Sequence, residues 1–337
     1  LDHCFYSDDG STAVEVALKM AAQYWRNQGQ EDRTLFVSMT NSYHGDTFGA
    51  MALGGSPVFH ANFSDFLFPV QRFDCTREES REDTPAASLE APSDGSLEEI
   101  LQREGDKVAA VIIEPVLQGA GGMILWPSES LVEIRELCDR YGTLLIADEV
   151  FTGFGRTGRL FACEHGPIVP DIICLSKALT AGYMPLAVTL STAEIYNSFL
   201  SEDRGKTFFH GHSYTANALA CAVALENLDI LEEENILGRI SRIEELFKER
   251  LEKLDSLPAV GSTRAIGSLA ALDILPGDSS EGGYLDAIGP RLYAEFLERD
   301  ILLRPLGNVL YFLPPYVIND EEIHRVFDAI EDVVGGL

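Results

Sequence analysis

Basic residues are scarce in this sequence. Its 337 residues include 25 lysines and arginines but 54 aspartates and glutamates, which gives a formal net charge of −29 at pH 7. Nucleic acids and anionic membrane surfaces attract basic patches, so this charge balance argues against both as partners. Net charge carries no information about the fold, which has to be read from the pattern of apolar residues.

Cysteines are also few, and long hydrophobic runs are missing. The six cysteines are scattered, with no CxxC pair and no spacing typical of a disulfide framework. This usage indicates a reducing compartment and argues against structural zinc. No apolar run approaches the length of a membrane span, and the first residues do not have the pattern of a signal peptide. We therefore expect a cytoplasmic protein without a metal site.

Short apolar runs and amphipathic stretches alternate along most of the chain. The runs predict strands, and the stretches with apolar residues at helical spacing predict helices between them. This alternation predicts an α/β fold with a doubly wound, mostly parallel sheet flanked by helices. We expect a large domain over residues 1–232 and a smaller α+β domain over residues 233–337. Residues 1–6 resemble a strand already under way, so we expect further residues before Leu1.

Three of the predicted strands are followed by side chains suited to catalysis: Glu114, Asp148 and Lys177. Parallel sheets present ligand-binding groups at the carboxyl ends of their strands, so we expect these three to meet. A partly desolvated amine can lose its proton and attack a carbonyl to form a Schiff base. A lone lysine is more simply a surface residue, but the two acids favour the catalytic interpretation. Glu149 points to the other face of its strand and is expected to be structural.

A predicted helix start lies upstream of these strands. Gly10 and Ser11 follow the first strand and precede an apolar stripe at helical spacing. Free N–H groups and the helix dipole make such a start an anion site. An ordinary N-cap by Ser11, with Glu15 near the capping-box position, explains the same residues equally well. Ser213, just before a predicted helix over residues 215–232, is a second candidate contact for a phosphate.

Two other motifs do not support the chemistry that they first suggest. Gly153, Gly155 and Gly158 satisfy GxGxxG after a strand, but prolines interrupt the helix that a dinucleotide site requires. We interpret this stretch as a glycine-rich active-site loop. His210 and His212 lie two apart without a third ligand nearby, so we expect structural hydrogen bonds rather than a metal site.

Two further side chains are candidates for contacts with a substrate or a ring. Tyr43 follows a predicted strand over residues 34–38 and either covers a flat ring or is a half-buried turn residue. Arg304 precedes another predicted strand and either binds a carboxylate through two hydrogen bonds or lies on the surface. The acidic residues 76–105, rich in serine and proline, are interpreted as a surface insertion.

Taken together, these groups suit pyridoxal phosphate. Lys177 can hold the aldehyde of that cofactor as a Schiff base, and a buried carboxylate such as Asp148 can keep the pyridine nitrogen protonated. The helix start at Gly10 and Ser11 can bind the phosphate.

The sequence resembles the class III aminotransferases, which are fold-type I pyridoxal phosphate enzymes. The likeness extends from residue 1 almost to the C-terminus and is most specific between Asp148 and Lys177. The matching segments are Gly10-Ser11-Thr12, Tyr43-His44-Gly45, Ile113-Glu114-Pro115, residues 148–158 and Ser176-Lys177-Ala178.

The resemblance implies a role for most of these positions. Lys177 is expected to be the Schiff-base lysine and proton shuttle, Asp148 to pair with the pyridine nitrogen, and Tyr43 to stack on the ring. The family builds its site across a homodimer, which implies that Ser213 reaches the phosphate of the neighbouring subunit. The remaining cofactor contacts that it implies are Gly10, Ser11, Glu114 and Val150.

Within the class, three segments resemble the aminotransferases of biotin biosynthesis. They are residues 43–47, residues 209–217 and the stretch from Arg304 to Tyr311. This likeness implies that Arg304 binds the carboxylate of 8-amino-7-oxononanoate, that Tyr311 lines its pocket and that Asp46 lies near its amino group. The amino donor, S-adenosylmethionine or lysine, is not readable from these residues.

Three alternatives stay open at this point. Ornithine, acetylornithine and 4-aminobutyrate aminotransferases share the pattern, although the ornithine and acetylornithine types usually carry another residue at the position of Arg304. Members of the class have a longer N-terminus that supplies aromatic residues to the pocket, so a chain beginning at Leu1 is expected to turn over little. An oxidoreductase that binds a dinucleotide at Gly153, Gly155 and Gly158 is the third.

Overall fold

The computed structural model describes residues 1–75, 93–275 and 283–337. Its strands are β1 (His3–Ser7), β2 (Leu35–Met39), β3 (Val70–Phe73), β4 (Val108–Ile113), β5 (Leu117–Gln118), β6 (Ile124–Leu125), β7 (Leu144–Asp148), β8 (Ile172–Leu175), β9 (Ala187–Ser191), β10 (Val260–Ile266), β11 (Leu269–Ile274) and β12 (Val309–Phe312). Its α-helices are α1 (Gly10–Asn27), α2 (Phe48–Leu53), α3 (Pro57–His60), α4 (Leu97–Glu104), α5 (Glu129–Tyr141), α6 (Ala193–Ser198), α7 (Ala218–Glu233), α8 (Ile236–Leu254), α9 (Ile288–Leu297) and α10 (Asp320–Gly335). None of the helices in these three ranges combines the length and the hydrophobicity that crossing a membrane requires.

A seven-stranded sheet in the order β1-β9-β8-β7-β4-β2-β3 forms the centre of the fold. Strands β3, β2, β4, β7 and β8 are parallel to one another, whereas β9 is antiparallel to both of its neighbours. Every residue of β4 and β7 is buried, as expected for central strands covered on both faces. The structure therefore confirms the predicted α/β fold with a mostly parallel sheet.

A second sheet, β10-β11-β12, is antiparallel throughout. The apolar faces of α8, α9 and α10 pack around it, and Phe247, Phe296 and Phe327 are fully buried there. The apolar pattern of residues 266–274 predicts a single strand, and this prediction is wrong because Gly267 and Ser268 make a tight turn between β10 and β11. The division into domains at residue 232 stays a prediction.

The start of α1 differs from the predicted cap. Asp9 is the N-cap residue, and its carboxylate accepts a hydrogen bond from the N–H of Thr12 at 3.0 Å. Glu15 caps the next helix instead, since it accepts from the N–H of Gly49, near the start of α2, at 2.7 Å. The N-cap interpretation of Ser11 is therefore wrong, and the anion-site interpretation is the one that remains.

Two other segments also depart from the sequence analysis. The helix predicted from residue 215 begins at Ala218, because Asn217 caps it by accepting from the N–H of Leu219 at 3.0 Å. Ser213 therefore lies in the preceding loop and not at the helix start. Of the predicted surface insertion, residues 76–92 lie outside the described residues, while its last part contains α4 with Ser96 as the N-cap.

Candidate active site

A cavity of 570 Å³ opens at the carboxyl ends of β4, β7 and β8. These strands are neighbours in the sheet, so Glu114, Asp148 and Lys177 converge on it as expected. The start of α1 adds Gly10 and Ser11 to the same cavity. The other residues singled out from the sequence that line it are Tyr43, Asp46, Val150 and Tyr311.

Lys177 begins a short 3-10 helix beyond β8, with a φ of +42°. Positive φ is strained for a residue with a side chain, and such strain is concentrated at functional sites. Its Nζ lies 5.2 Å from the centre of the Phe151 ring. Burial lowers the pKa of Lys177; the carboxylates of Asp148 and Glu114 oppose this shift and Arg156 adds to it. More of the amine is therefore neutral and nucleophilic at neutral pH than for an exposed lysine.

Both carboxylate oxygens of Asp148 are engaged. Oδ1 accepts from the N–H of Val150 at 3.1 Å, and Oδ2 lies 2.7 Å from Nδ1 of His44. Asp148 and His44 are both buried, so the pair fixes the orientation of the carboxylate. The sequence analysis assigned no role to His44, whose only signal was its place beside Tyr43 in the matched segment.

Glu114 joins two segments of the cavity wall. Its Oε1 accepts from the N–H of Tyr43 at 2.9 Å, and its Oε2 accepts from the N–H of Gly119 at 3.0 Å. Burial raises the pKa of Glu114 to about 7, and the nearby Asp148 adds to the rise. His44 and the two backbone hydrogen bonds oppose it. This carboxyl therefore changes charge near neutral pH while it holds the segment of Tyr43 in place.

The loop over residues 119–123 is held from the small sheet as well. Arg264 on β10 donates to the carbonyl oxygens of Gly122 and Met123 at 2.7 and 2.6 Å. The same guanidinium pairs at 2.8 Å with Asp273, whose side chain is only 3% exposed. One wall of the cavity is thus anchored by a buried ion pair on the neighbouring hairpin.

The helix start forms the opposite end of the cavity. A Cβ at Gly10 would lie 2.5 Å from Cγ1 of Val150, so only glycine lets α1 approach the end of β7 this closely. The first backbone N–H groups of a helix have no partner within it, and here they belong to Gly10 and Ser11. The hydroxyl oxygen of Ser11 lies 2.8 Å from that of Thr47. Backbone N–H groups and hydroxyls at a helix N-terminus form a site for a phosphate.

Arg304 does not line this cavity. It is exposed and lines an adjoining cavity of 1040 Å³. Tyr311 lines both cavities, so they meet at its side chain. Burial raises the pKa of Tyr311, and the positive charge of Arg304 opposes the rise. Asp46 is at the edge of the first cavity, with 78% of its side chain exposed.

The comparison with known proteins agrees with this geometry. A family model described as Aminotransferase class-III matches residues 1–334. The chain belongs to the class-III aminotransferases. The family that the sequence resembles is thereby confirmed.

Relatives of this class-III aminotransferase include two with the same curated name. The adenosylmethionine-8-amino-7-oxononanoate aminotransferase of Geobacter sulfurreducens is 46% identical over 334 residues, which cover 97% of this chain and 73% of the relative. The protein of that name from Synechococcus elongatus is also 46% identical, over 99% of this chain and 77% of the relative.

Solved structures of related enzymes superpose closely on this class-III aminotransferase. The adenosylmethionine-8-amino-7-oxononanoate aminotransferase of Methanocaldococcus jannaschii gives a TM-score of 0.89 at 38% identity, covering 99% of this chain and 75% of that one. An amine transaminase from an uncultivated Pseudomonas species, solved in its PLP-bound form, gives 0.87 at 35% identity, covering 98% and 76%. The fold-type I architecture is therefore confirmed.

Ser213 lies outside both cavities of this class-III aminotransferase. It is exposed in the loop before α7, which also contains the exposed His212 and the half-buried His210. Nδ1 of His210 is 2.9 Å from Nζ of Lys19, and Nδ1 of His212 accepts from the N–H of Tyr214 at 3.2 Å. The structural hydrogen bonds expected for the two histidines are confirmed, whereas this chain alone does not bring Ser213 to the helix start.

The glycine-rich stretch is not the active-site loop that we expected. Neither Gly153, Gly155 nor Gly158 lines the cavity. Gly155 lies against Ile240 on α8, so the loop packs on the C-terminal part of the chain. Its glycines reflect close packing between segments distant in sequence, which no local pattern can indicate.

Two side chains hold that loop in place. Glu149 accepts hydrogen bonds from the N–H groups of Ala162 and Cys163 at 2.7 and 2.9 Å, as expected for a structural residue. Arg156, which the sequence analysis did not single out, donates to the hydroxyl of Ser268 at 2.8 Å and lies over the ring of Tyr316.

Proposed function

We propose that this class-III aminotransferase uses pyridoxal phosphate to aminate 8-amino-7-oxononanoate to 7,8-diaminononanoate in biotin biosynthesis. The observation that carries the proposal is the convergence of Lys177, Asp148 and the start of α1 on one cavity that adjoins the cavity of Arg304. Eight relatives, between 34% and 46% identical over nearly the whole chain, have this activity in their names.

The residues of the cavity fit pyridoxal phosphate. An amine, a buried carboxylate and a helix N-terminus lie around one space, and they match the aldehyde, the ring nitrogen and the phosphate of that molecule. The missing side chain of Gly10 leaves backbone N–H groups accessible at the phosphate end. When bound, the cofactor supplies an aromatic ring that takes up the electron pair released as a substrate C–H bond breaks.

Lys177 has two tasks in this scheme. Its Nζ would hold the cofactor covalently, and burial lowers the pKa of this amine, which favours its neutral, nucleophilic form. Once freed from the cofactor, the same Nζ would take a proton from the substrate α-carbon and return it to the cofactor carbon C4′. A lowered pKa suits an atom that has to accept and donate the same proton.

Asp148 supplies the negative charge at the other end of the ring. Its carboxylate is oriented by His44 and by the N–H of Val150, so it can hold a proton on the pyridine nitrogen. Val150 and Tyr43 would hold the ring between them, and Glu114 fixes the backbone of Tyr43. A protonated nitrogen is what makes the ring an effective acceptor of electrons.

The substrate contacts extend towards the second cavity. Arg304 binds the acceptor's carboxylate, Tyr311 lines the passage between the two cavities, and Asp46 faces the acceptor's amino group. A guanidinium is suited to a carboxylate because it donates two parallel hydrogen bonds. An acceptor with a carboxylate at one end and an amine near its carbonyl matches this order of charges.

The active unit in this proposal is a homodimer. Leu219 and Leu225 on α7 are 70% and 64% exposed, which is unusual for two large apolar side chains on one helix. A second copy that covers α7 also brings its own Ser213 towards this chain's helix start. The cytoplasmic location stays a prediction.

An acceptor panel tests the proposal. Purified enzyme loaded with pyridoxal phosphate is supplied with S-adenosylmethionine or lysine as donor and with 8-amino-7-oxononanoate, pyruvate or 2-oxoglutarate as acceptor. We expect amination of 8-amino-7-oxononanoate, and no turnover by the matched Lys177→Ala variant. Activity only with the other acceptors would instead support a general transaminase, which the likeness to the amine transaminase favours as a second candidate.

A further inference from the structure

His60, the last residue of α3, is buried without a hydrogen bond. The residue is 5% exposed, and neither Nδ1 nor Nε2 makes a hydrogen bond with any residue in the described ranges. A buried polar group without such a bond lowers the stability of a protein by roughly 1–3 kcal/mol, so the burial of His60 calls for an explanation. His60 was not singled out by any motif in the sequence.

The ring of His60 faces the wall of the active-site cavity. It is nearly parallel to the ring of Tyr43, with 6.2 Å between centroids and an interplanar angle of 18°. A Cβ at Gly54 would lie 2.5 Å from Cε1 of His60, so the backbone there holds the imidazole from behind. The nearest carboxylate is that of Asp46, whose Oδ1 is 4.0 Å from Nε2.

Asp46 is the exposed member of this group. Its side chain is 78% exposed, whereas His60 is enclosed. The 4.0 Å separation exceeds a normal N–H···O distance of about 2.9 Å by about 1 Å, which one rotation of an exposed carboxylate can close. Asp46 also adds to the rise in the pKa of Tyr43 that burial causes.

His60 is suited to act as a neutral hydrogen-bond donor. Burial lowers its pKa; Arg72 and His44 lower it further, while Asp46 opposes the shift. A neutral imidazole has one N–H, which it can donate to a carboxylate without cancelling the charge of that carboxylate. Asp46 therefore keeps its negative charge for a cationic group of the substrate.

We propose that His60 is a positioning residue, whose Nε2–H binds Asp46 when the acceptor enters and thereby fixes that carboxylate against the acceptor's ammonium group. The inference rests on the proposed function, because Asp46 faces an amino group only in an acceptor such as 8-amino-7-oxononanoate. Holding an exposed carboxylate in one orientation lowers the entropy cost of binding. His60 then contributes to selection of acceptors that carry an amine beside the carbonyl.

The test compares two acceptors that differ only in that amine. Holoenzyme of the wild type, His60→Phe and His60→Gln is assayed with 8-amino-7-oxononanoate and with 7-oxononanoate, the latter as acceptor or as competitive inhibitor. We expect His60→Phe to raise the KM for 8-amino-7-oxononanoate about tenfold, which corresponds to about 1.4 kcal/mol. The affinity for 7-oxononanoate, the kcat and the rate of the donor half-reaction should change less than about twofold. His60→Gln keeps an N–H donor near the same position and should recover most of the loss.

A second comparison separates this role from packing. Phe59 contacts the same Tyr43 ring, with 5.7 Å between centroids, but has no polar atom, so Phe59→Leu serves as the matched control. We expect Phe59→Leu to affect both acceptors alike. In the Asp46→Asn background, His60→Phe should add little further loss for 8-amino-7-oxononanoate, because the two residues act on the same group.

The outcomes separate the two proposals. The role of His60 would be overturned if His60→Phe weakened the binding of both acceptors equally. It would also be overturned if the effects of His60→Phe and Asp46→Asn on 8-amino-7-oxononanoate were fully additive. Either result would leave the proposed function intact. Wild-type holoenzyme that does not aminate 8-amino-7-oxononanoate would overturn the proposed function and this inference with it.

Discussion

Replacement of Glu114 by glutamine tests the electrostatics of the cavity directly. Glutamine has nearly the same volume but no charge, and its single carbonyl oxygen can accept only one of the two hydrogen bonds that come from Tyr43 and Gly119. The loss of one bond lowers stability by a roughly constant 1–3 kcal/mol at every pH. The loss of the charge has an effect on stability that changes with pH. This pH dependence tests whether the pKa of the Glu114 carboxyl is raised.

The sign and size of that change follow from the pKa. The ordinary value is 4.5, and burial raises the folded-state pKa of Glu114 to about 7. Between these values the folded protein binds more protons than the unfolded chain, so the contribution of Glu114 is fully present below pH 4.5 and is lost as the pH rises towards 7. Between pH 5 and 8 the free energy of unfolding of the wild type should fall by roughly 2–3 kcal/mol relative to that of Glu114→Gln.

Urea unfolding of the cofactor-free protein at pH 5, 6, 7 and 8 measures this difference for the wild type and Glu114→Gln. Glu98→Gln is the matched control, since Glu98 is half exposed and pairs with Arg140 on the surface. The difference in the free energy of unfolding between this control and the wild type should stay nearly constant between pH 5 and 8. If the difference for Glu114→Gln also stays constant within about 0.5 kcal/mol, the carboxyl titrates as an exposed one does and the reasoning from burial is refuted.

Three further predictions concern Asp148 in this cavity, Arg304 in the adjoining one and Arg264 behind the cavity wall. Asp148→Asn should slow both half-reactions by about a hundredfold or more in single-turnover assays, because the amide lacks the charge that holds the nitrogen's proton; a rate near that of the wild type would contradict this role. Arg304→Ala should raise the KM for a carboxylate-bearing acceptor by about tenfold to a hundredfold, since a hydrogen bond to a charged group contributes roughly 1.5–3 kcal/mol, and it should leave the donor half-reaction unchanged. Arg264→Met should lower the free energy of unfolding by about 3–5 kcal/mol in urea, because it leaves Asp273 buried without its partner. An Arg264→Lys variant keeps the charge, so its free energy of unfolding should fall less than that of Arg264→Met. Equal decreases in the two variants would assign the effect to the hydrogen bonds to Gly122 and Met123.

Much of the fold could be predicted because its signals are local. The buried runs of β4 and β7 are continuously apolar, which is typical of central parallel strands, and amphipathic stretches mark the helices between them. The predicted ends of helices and strands were less accurate where a single residue determines the end of the element. Gly267 divided one predicted strand into a hairpin, and Asn217 moved a helix start three residues along the chain.

The candidate site was predictable as far as strand ends and matched segments could indicate it. Glu114, Asp148 and Lys177 each follow an apolar run, and neighbouring parallel strands bring such residues to one edge of the sheet. The glycine-rich stretch was misinterpreted for the opposite reason. Its function is to pack against α8, and a contact between distant segments leaves no mark in local spacing.

The sequence by itself determined the family, the parallel sheet and the set of residues at the carboxyl ends of its strands, because apolar periodicity and matched segments are properties of the chain alone. Tertiary structure alone decided which side chains support them. His44 and Asp148 are 104 positions apart, Glu15 and Gly49 are 34 apart, and His60 lies beside Asp46 only because α3 folds back over Tyr43. Hydrogen bonds of this kind depend on distances of about 3 Å, which exist only once the helices are packed on the sheet.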